Sequence, residues 1–79
     1  NFTENFTIFV KHALHMLVNR VKDYRKSAGL TQEELAVKSG VSRQTILSIE
    51  KNKFIPGLDV ALKISKSLSV PIDKIFYYV

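Results

Sequence analysis

The sequence predicts an all-α, compact domain of five short helices, and three features of its 79 residues indicate this. First, its three glycines, Gly29, Gly40 and Gly57, all fall where one helical pattern ends or another begins. Second, residues that cap helices precede two of the patterned stretches. Third, apolar residues recur three and four positions apart, which is the spacing of one helix face. A chain of this length forms one domain at most.

The first helix is predicted over residues 17–28. Val21 and Tyr24 supply its apolar face, because they are three positions apart. Gly29 then ends the helix, since glycine readily takes the left-handed conformation of a C-terminal cap.

A second helix begins after Thr31. Thr31 and Glu34 form the Thr-x-x-Glu pattern of a capping box, in which each side chain accepts a hydrogen bond from the other residue's backbone. Leu35 and Ala36 are expected to point inward, and Gly40 ends the helix. The small Ala36 allows a second helix to cross closely.

Ser42 is expected to cap a third helix over about residues 43–52. Val41 closes the turn before it, and Ile46 and Ile49 form a buried stripe at i, i+3. Its outer side carries Arg43, Gln44, Leu47 and Ser48. A tight turn followed by a helix with a polar first turn can place side chains in the major groove of DNA.

Two further helices complete the predicted domain. The fourth begins near Leu58, with Asp59 at the positive end of its dipole. Its periodic inner residues are Leu58, Ala61, Leu62, Ser65 and Leu68, with Ile64 beside them. The fifth is short and carries Ile72, Ile75 and Phe76. In the loop before the fourth helix, Phe54 and Ile55 are interpreted as packing residues.

The sequence resembles the lambda-repressor/Cro-like helix-turn-helix domains of the Xre family. The resemblance is carried by Gly-Leu-Thr-Gln-Glu-Glu-Leu-Ala at 29–36, Gly-Val-Ser-Arg-Gln-Thr-Ile at 40–46 and Ile-Glu at 49–50, and it extends over about residues 19–76. It implies a sequence-specific DNA-binding transcriptional regulator whose recognition helix, about 43–52, enters the major groove.

The resemblance also implies roles for individual residues. Gln32 should bind a phosphate and brace Gln44, whose amide can bond both N6 and N7 of an adenine. The residues expected to read bases are Arg43, Gln44, Thr45 and Ser48. For Arg43, Thr45 and Ser48 a phosphate contact is the alternative. The residues expected to bind phosphates are Gln32, Ser42, Lys51, Asn52 and Lys53.

The resemblance also bears on the structural roles of Asn52, Arg25 and Glu50. Asn52 stands where the family usually has glycine, and asparagine tolerates the left-handed conformation next best. Arg25 and Glu50 match an arginine and a glutamate that form an ion pair in the resembling repressors. We expect this pair to be partly buried and to fix the motif onto the first helix; the alternative is two solvated surface charges.

Composition agrees with a polyanionic partner and excludes several functions. Twelve Lys and Arg against seven Asp and Glu give a net charge of +5. The chain has no cysteine for a disulfide or thiolate metal site, and His12 and His15 lack a third ligand, so no metal or other cofactor is expected. No catalytic arrangement is recognisable, so no enzyme is predicted. No apolar run reaches membrane-spanning length, and we expect a cytoplasmic protein.

The ends of the chain leave alternatives open. We divide the chain into an extension, 1–15, and the DNA-binding domain, 16–79, because Met16 stands where family chains commonly begin. Phe2, Phe6, Phe9 and Ala13 have the spacing of an extra amphipathic helix. Such a helix would pack on the domain or on a second subunit; otherwise residues 1–15 are an artificial leader or a translated upstream stretch.

The partners and the biological role also have alternatives. The apolar tail, 75–79, indicates a homodimer on double-stranded DNA, with the N-terminal extension as a second contact; the alternative is a tail that folds back on its own core. The alternative functions are an antitoxin, a controller of restriction–modification genes, and a protein–protein interaction module that has lost DNA binding.

Overall fold

The computed structural model describes residues 17–79 as a mostly helical domain, and its five helices confirm the predicted fold class. The predicted N-terminal helix and the histidine pair lie outside the described residues. In chain order the elements are β1 (Leu17–Asn19), α1 (Val21–Ser27), α2 (Gln32–Ser39), α3 (Arg43–Glu50), α4 (Leu58–Leu68), α5 (Ile72–Ile75) and β2 (Phe76–Tyr78). No helix within 17–79 is long and apolar enough to cross a membrane.

The two ends of the described chain form a small antiparallel sheet that the sequence reasoning missed. β1 pairs with β2 so that Leu17 faces Tyr78 and Asn19 faces Phe76. The first helix therefore begins at Val21, not at residue 17, and the fifth ends at Ile75, before Phe76. Aromatic and β-branched side chains pack well on a pleated surface, and the run Phe-Tyr-Tyr-Val is typical of a strand.

One apolar core joins all five helices. Its buried members are Val21 from α1, Leu35 and Ala36 from α2, Ile46 and Ile49 from α3, Ile64 and Leu68 from α4, and Ile75 from α5. Tyr24 and Val41 pack against this cluster, as the sequence predicts. The outer sides of α2 and α3 are consequently turned away from the core and are open to a partner.

Two predictions about packing are wrong. On α4, Leu58 and Leu62 are 71% and 48% exposed, because the buried face is centred on Ile64. Both faces satisfy the helical spacing, and only the tertiary arrangement chooses between them. In the preceding loop, Phe54 and Ile55 are 46% and 72% exposed, so they are surface residues and not packing residues.

Candidate nucleic-acid interface

The beginning of α3 is fixed by its own side chains. Ser42 is extended, and its hydroxyl oxygen accepts a hydrogen bond from the Thr45 N–H at 3.0 Å. The two hydroxyl groups, Ser42 Oγ and Thr45 Oγ1, also lie 2.8 Å apart. This cap satisfies a backbone donor that a helix start leaves unpaired. The exposed residues Arg43 and Gln44 therefore extend from an ordered first turn.

Gln32 and Gln44 have separate hydrogen-bond partners in the structure, and the bracing of Gln44 by Gln32 stays a prediction for the complex with DNA. Gln32 Nε2 donates to Glu50 Oε1 at 3.2 Å, whereas Gln44 Nε2 donates to Ser48 Oγ at 3.3 Å. A carboxylate accepts stronger hydrogen bonds than a neutral amide, which explains why Gln32 turns to Glu50. Gln44 is held along its own helix, beside another residue expected to read bases.

Two shallow depressions separate the candidate DNA contacts into two groups. One depression, which we call the lysine side, is lined by Gln44, Thr45, Ser48, Lys53 and Phe54. The other, the arginine side, is lined by Arg25, Thr31, Gln32, Glu33 and Arg43. The structure thus brings three of the four expected base-reading residues together with a lysine, and it places Arg43 with Gln32.

The turn after α3 presents the lysines. Its middle residue, Asn52, has a φ of 59°, which is the left-handed conformation expected at this position. The Asn52 N–H donates to the Ile49 carbonyl, and the Lys53 N–H donates to the Ser48 carbonyl, both at 2.9 Å. Lys51, Asn52 and Lys53 are exposed. The helix is shorter than predicted and ends at Glu50.

Arg25 and Glu50 lie together beneath this surface. Arg25 Nε and Nη2 donate to the two carboxylate oxygens at 2.7 and 3.1 Å, and Nη1 donates to the Leu30 carbonyl at 2.8 Å. The two side chains are 9% and 4% exposed, so the alternative of solvated charges does not hold. The hydrogen bond to Glu50 raises the pKa of Arg25. The pair joins α1 to the end of α3.

The structure adds two residues that the sequence reasoning missed. Phe54 lies on the lysine side next to the expected base-reading residues. Asn19, on β1, donates from Nδ2 to the Ile49 carbonyl at 2.9 Å and to Asn52 Oδ1 at 2.6 Å. No local pattern identifies Asn19, because its partners are 30 and 33 positions away.

Residues 17–79 contain no group of side chains that could form a metal site. Within 17–79, no group of three or more His, Cys, Asp or Glu side chains could hold a metal ion. Every buried side-chain nitrogen or oxygen in that range has a hydrogen-bond partner. The polar groups available to a ligand are therefore exposed ones, and among these the predicted DNA contacts lie on α2 and α3 and in the turn after α3.

Comparisons with known proteins agree with this geometry. The helix-turn-helix family model matches residues 21–75. An uncharacterized HTH-type transcriptional regulator from Methanocaldococcus jannaschii is 55% identical over 60 residues, which cover 76% of this chain and 91% of that protein. The uncharacterized HTH-type transcriptional regulator YgzD from Bacillus subtilis is 42% identical over 59 residues, covering 75% and 89%.

Solved structures show the same fold. The restriction-modification controller protein C.AhdI from Aeromonas hydrophila aligns with a TM-score of 0.68 and 29% identity, covering 70% of this chain and 83% of that one. A chain of the SinR–SinI protein complex aligns with a TM-score of 0.67 and 38% identity, covering 70% and 54%. These matches show that the chain belongs to the helix-turn-helix family of DNA-binding transcriptional regulators.

Proposed function

We propose that α3 is the recognition helix of a sequence-specific regulator and lies in the major groove of its operator. In this proposal Arg43, Gln44, Thr45 and Ser48 face the bases. The observation that carries it is the position of these polar side chains on the outer side of a helix that is capped at its start and tied to α1 at its end. A rigid helix loses little conformational entropy when it binds.

The proposed phosphate contacts border this surface on both sides. Lys53 lies on the lysine side, with Lys51 and Asn52 in the same turn. Gln32 lies on the arginine side, and Ser42 precedes α3. Gln32 has to share its amide between Glu50 and a phosphate, because Glu50 already accepts one of its N–H groups. Phosphate contacts set the register, and base contacts supply specificity.

The first experiment separates the two classes of contact. A preferred duplex is selected from a random pool, and binding of Gln44→Ala and Lys53→Ala is measured on that duplex and on random duplex over a salt series. We expect Gln44→Ala to cost about 1–3 kcal/mol on the preferred duplex and to relax one base position. Lys53→Ala should weaken both duplexes alike and lower the salt slope by about one.

Lys66→Ala is the matched control for Lys53→Ala. Lys66 is also exposed, but it lies on α4 beside Lys38 and Lys63, away from the turn after α3. It should leave the salt slope unchanged. If Gln44→Ala and Lys53→Ala behave identically on the two duplexes, the assignment of base and phosphate roles is wrong.

Three other functions remain candidates for the same domain. The similarity to C.AhdI favours a controller of restriction–modification genes, and an adjacent methylase gene would identify that role; an adjacent toxin gene would identify an antitoxin. A protein–protein interaction module is the third candidate, and exposed apolar residues such as Ile55 and Leu58 favour it. Binding only to a protein, with no salt-dependent binding to any duplex, would select that candidate.

We also propose that the protein acts as a homodimer through its C-terminal segment, in the cytoplasm. The tail folds back far enough to bury Ile75 and to pair with β1, yet Tyr78 and Val79 remain 66% and 65% exposed. Two subunits would read half-sites about 34 Å apart. Sedimentation equilibrium tests this: a monomer at all concentrations, with and without operator, would contradict it. The N-terminal extension is the other proposed contact.

A further inference from the structure

We propose that Asn19 is a positioning residue for DNA binding: it holds the turn Lys51–Asn52–Lys53 in the conformation that meets phosphate. This inference rests on the proposed function of that turn. Asn19 lies on β1, outside the helix-turn-helix itself. Its amide nitrogen donates to the Ile49 carbonyl at 2.9 Å and to Asn52 Oδ1 at 2.6 Å. One side chain thus contacts both the last turn of α3 and Asn52, the middle residue of the turn that follows.

The turn needs such support because of its backbone. The last carbonyls of a helix have no partner within the helix. A left-handed conformation is unfavourable for any residue with a Cβ, and Asn52 holds it at a φ of 59°. Asn19 supplies a second donor to the Ile49 carbonyl, which already accepts the Asn52 N–H. It also fixes the Asn52 side chain, so both the backbone and the side chain of the turn are held.

Asn19 is itself held in place by the sheet. It pairs with Phe76, and the next residue, Arg20, donates its N–H to the Ile75 carbonyl at 2.7 Å. The side-chain oxygen of Asn19, Oδ1, accepts a hydrogen bond from the Val21 N–H at 3.4 Å. The donor is therefore placed by a strand and a helix start that do not belong to the turn. Support from outside can keep the turn ordered before DNA arrives, which reduces the entropy lost on binding.

The test compares two variants on β1. Asn19→Leu keeps the branched shape of the side chain but removes the amide N–H groups that bind the Ile49 carbonyl and Asn52 Oδ1. Asn19→Ala removes the same N–H groups together with most of the side chain. Val18→Ala is the control, because Val18 is half-buried on the same strand and pairs with Tyr77. Each is made with and without Lys53→Ala. We measure the salt slope of binding to random duplex and the amide hydrogen exchange of the free proteins.

The expected result is a change confined to the turn. In Asn19→Leu and Asn19→Ala, the Lys53 amide should exchange faster, while the Thr45 amide at the other end of α3 keeps its rate. Lys53→Ala should lower the salt slope by about one in the wild type and after Val18→Ala, but by less than about half a unit after either Asn19 substitution. A general loss of stability would not make the lysine's contribution depend on residue 19.

Two results would overturn the inference. One is an equal effect of Lys53→Ala on the salt slope with and without Asn19. The other is unchanged exchange of the Lys53 amide in both Asn19 variants. If the wild type binds no duplex, the proposed function fails instead, and the exchange measurement alone decides whether Asn19 holds the turn.

Discussion

The two ends of the recognition helix are held in different ways. At its beginning, Ser42 caps the helix through Thr45, three residues along the chain. At its end, Glu50 is bound by Arg25 and the Ile49 carbonyl by Asn19, which are 25 and 30 residues away. The beginning is therefore a local structure, while the end depends on the assembled domain. The end of α3, the helix that we propose reads DNA, is therefore anchored by Arg25 and Asn19 from outside the helix-turn-helix.

Breaking the ion pair between Arg25 and Glu50, at the end of α3, should have the largest effect on stability. Glu50→Ala leaves the Arg25 guanidinium buried, with a side chain 9% exposed and no carboxylate. Because an uncompensated buried charge is strongly unfavourable, we expect the free energy of unfolding to fall by about 3–5 kcal/mol. Urea denaturation followed by circular dichroism measures this. A loss below about 1 kcal/mol would mean that solvent reaches Arg25 and that the pair is effectively a surface pair.

A double substitution separates the charge from the packing. Arg25→Met with Glu50→Leu removes both charges and keeps apolar volume at both positions. Replacing a buried ion pair in this way is often neutral or stabilising. We expect the double variant to be more stable than Glu50→Ala. If it is equally unstable, the loss comes from the hydrogen bonds to Leu30 and Gln32 and not from the stranded charge.

Removing the Ser42 cap, at the beginning of α3, should have a smaller effect on the free energy of unfolding. Ser42→Ala removes the acceptor for the Thr45 N–H, and loss of an N-cap costs typically about 1 kcal/mol. Ser42→Asp keeps an acceptor and should retain the stability, but its negative charge should repel phosphate and abolish binding to duplex. Thermal unfolding and a binding assay on the two variants check both statements. Equal DNA binding by Ser42→Asp and the wild type would remove Ser42 from the phosphate contacts.

A second local cap sharpens the comparison through its pH dependence. The Glu34 carboxylate accepts a hydrogen bond from the Thr31 N–H at 2.9 Å. This backbone hydrogen bond lowers the pKa of Glu34, and a hydrogen bond with the Thr31 hydroxyl lowers it further. The folded state thus favours the carboxylate. The stabilisation is present above the unfolded pKa and is lost as the pH falls through the folded pKa.

The effect at Glu34 should be the smallest of the three. Glu34→Gln keeps the cap chemistry without a titrating group. We expect the stability advantage of the wild type over Glu34→Gln to shrink between pH 7 and pH 3, measured as a difference in midpoint temperature. A difference that stays constant over that range would show that the Glu34 charge is not linked to folding.

The contrast also explains what could be predicted from the sequence. The capping box of Thr31 and Glu34 and the Ser42 cap were predicted, and they are confirmed, because each depends on residues three positions apart. Asn19 and the β1–β2 sheet were missed, because the ends that pair are about sixty residues apart in the chain and no spacing rule joins them. Only the resemblance to repressors brought Arg25 and Glu50 together before the structure did.

The surface around α4 was missed for a different reason. Leu58 and Leu62 share a helical spacing with truly buried residues, so periodicity alone assigns them to the core. Their exposure depends on which face of α4 packs against the other helices, and the spacing of the residues does not determine that face. The DNA-contact roles themselves stay predictions, since they depend on a partner that only binding experiments supply.

The pairing of β1 with β2 has a mechanical consequence. Leu17 lies opposite Tyr78, so the first residue of β1 and the last residue of β2 are neighbours on two antiparallel strands. A force that pulls Leu17 and Tyr78 apart would separate the paired residues of β1 and β2 one pair at a time, starting with Leu17 and Tyr78. The pair of Asn19 and Phe76 would separate last. The strand ends would therefore come apart under force while the hydrogen bond from Asn19 to the Ile49 carbonyl of α3 is still formed.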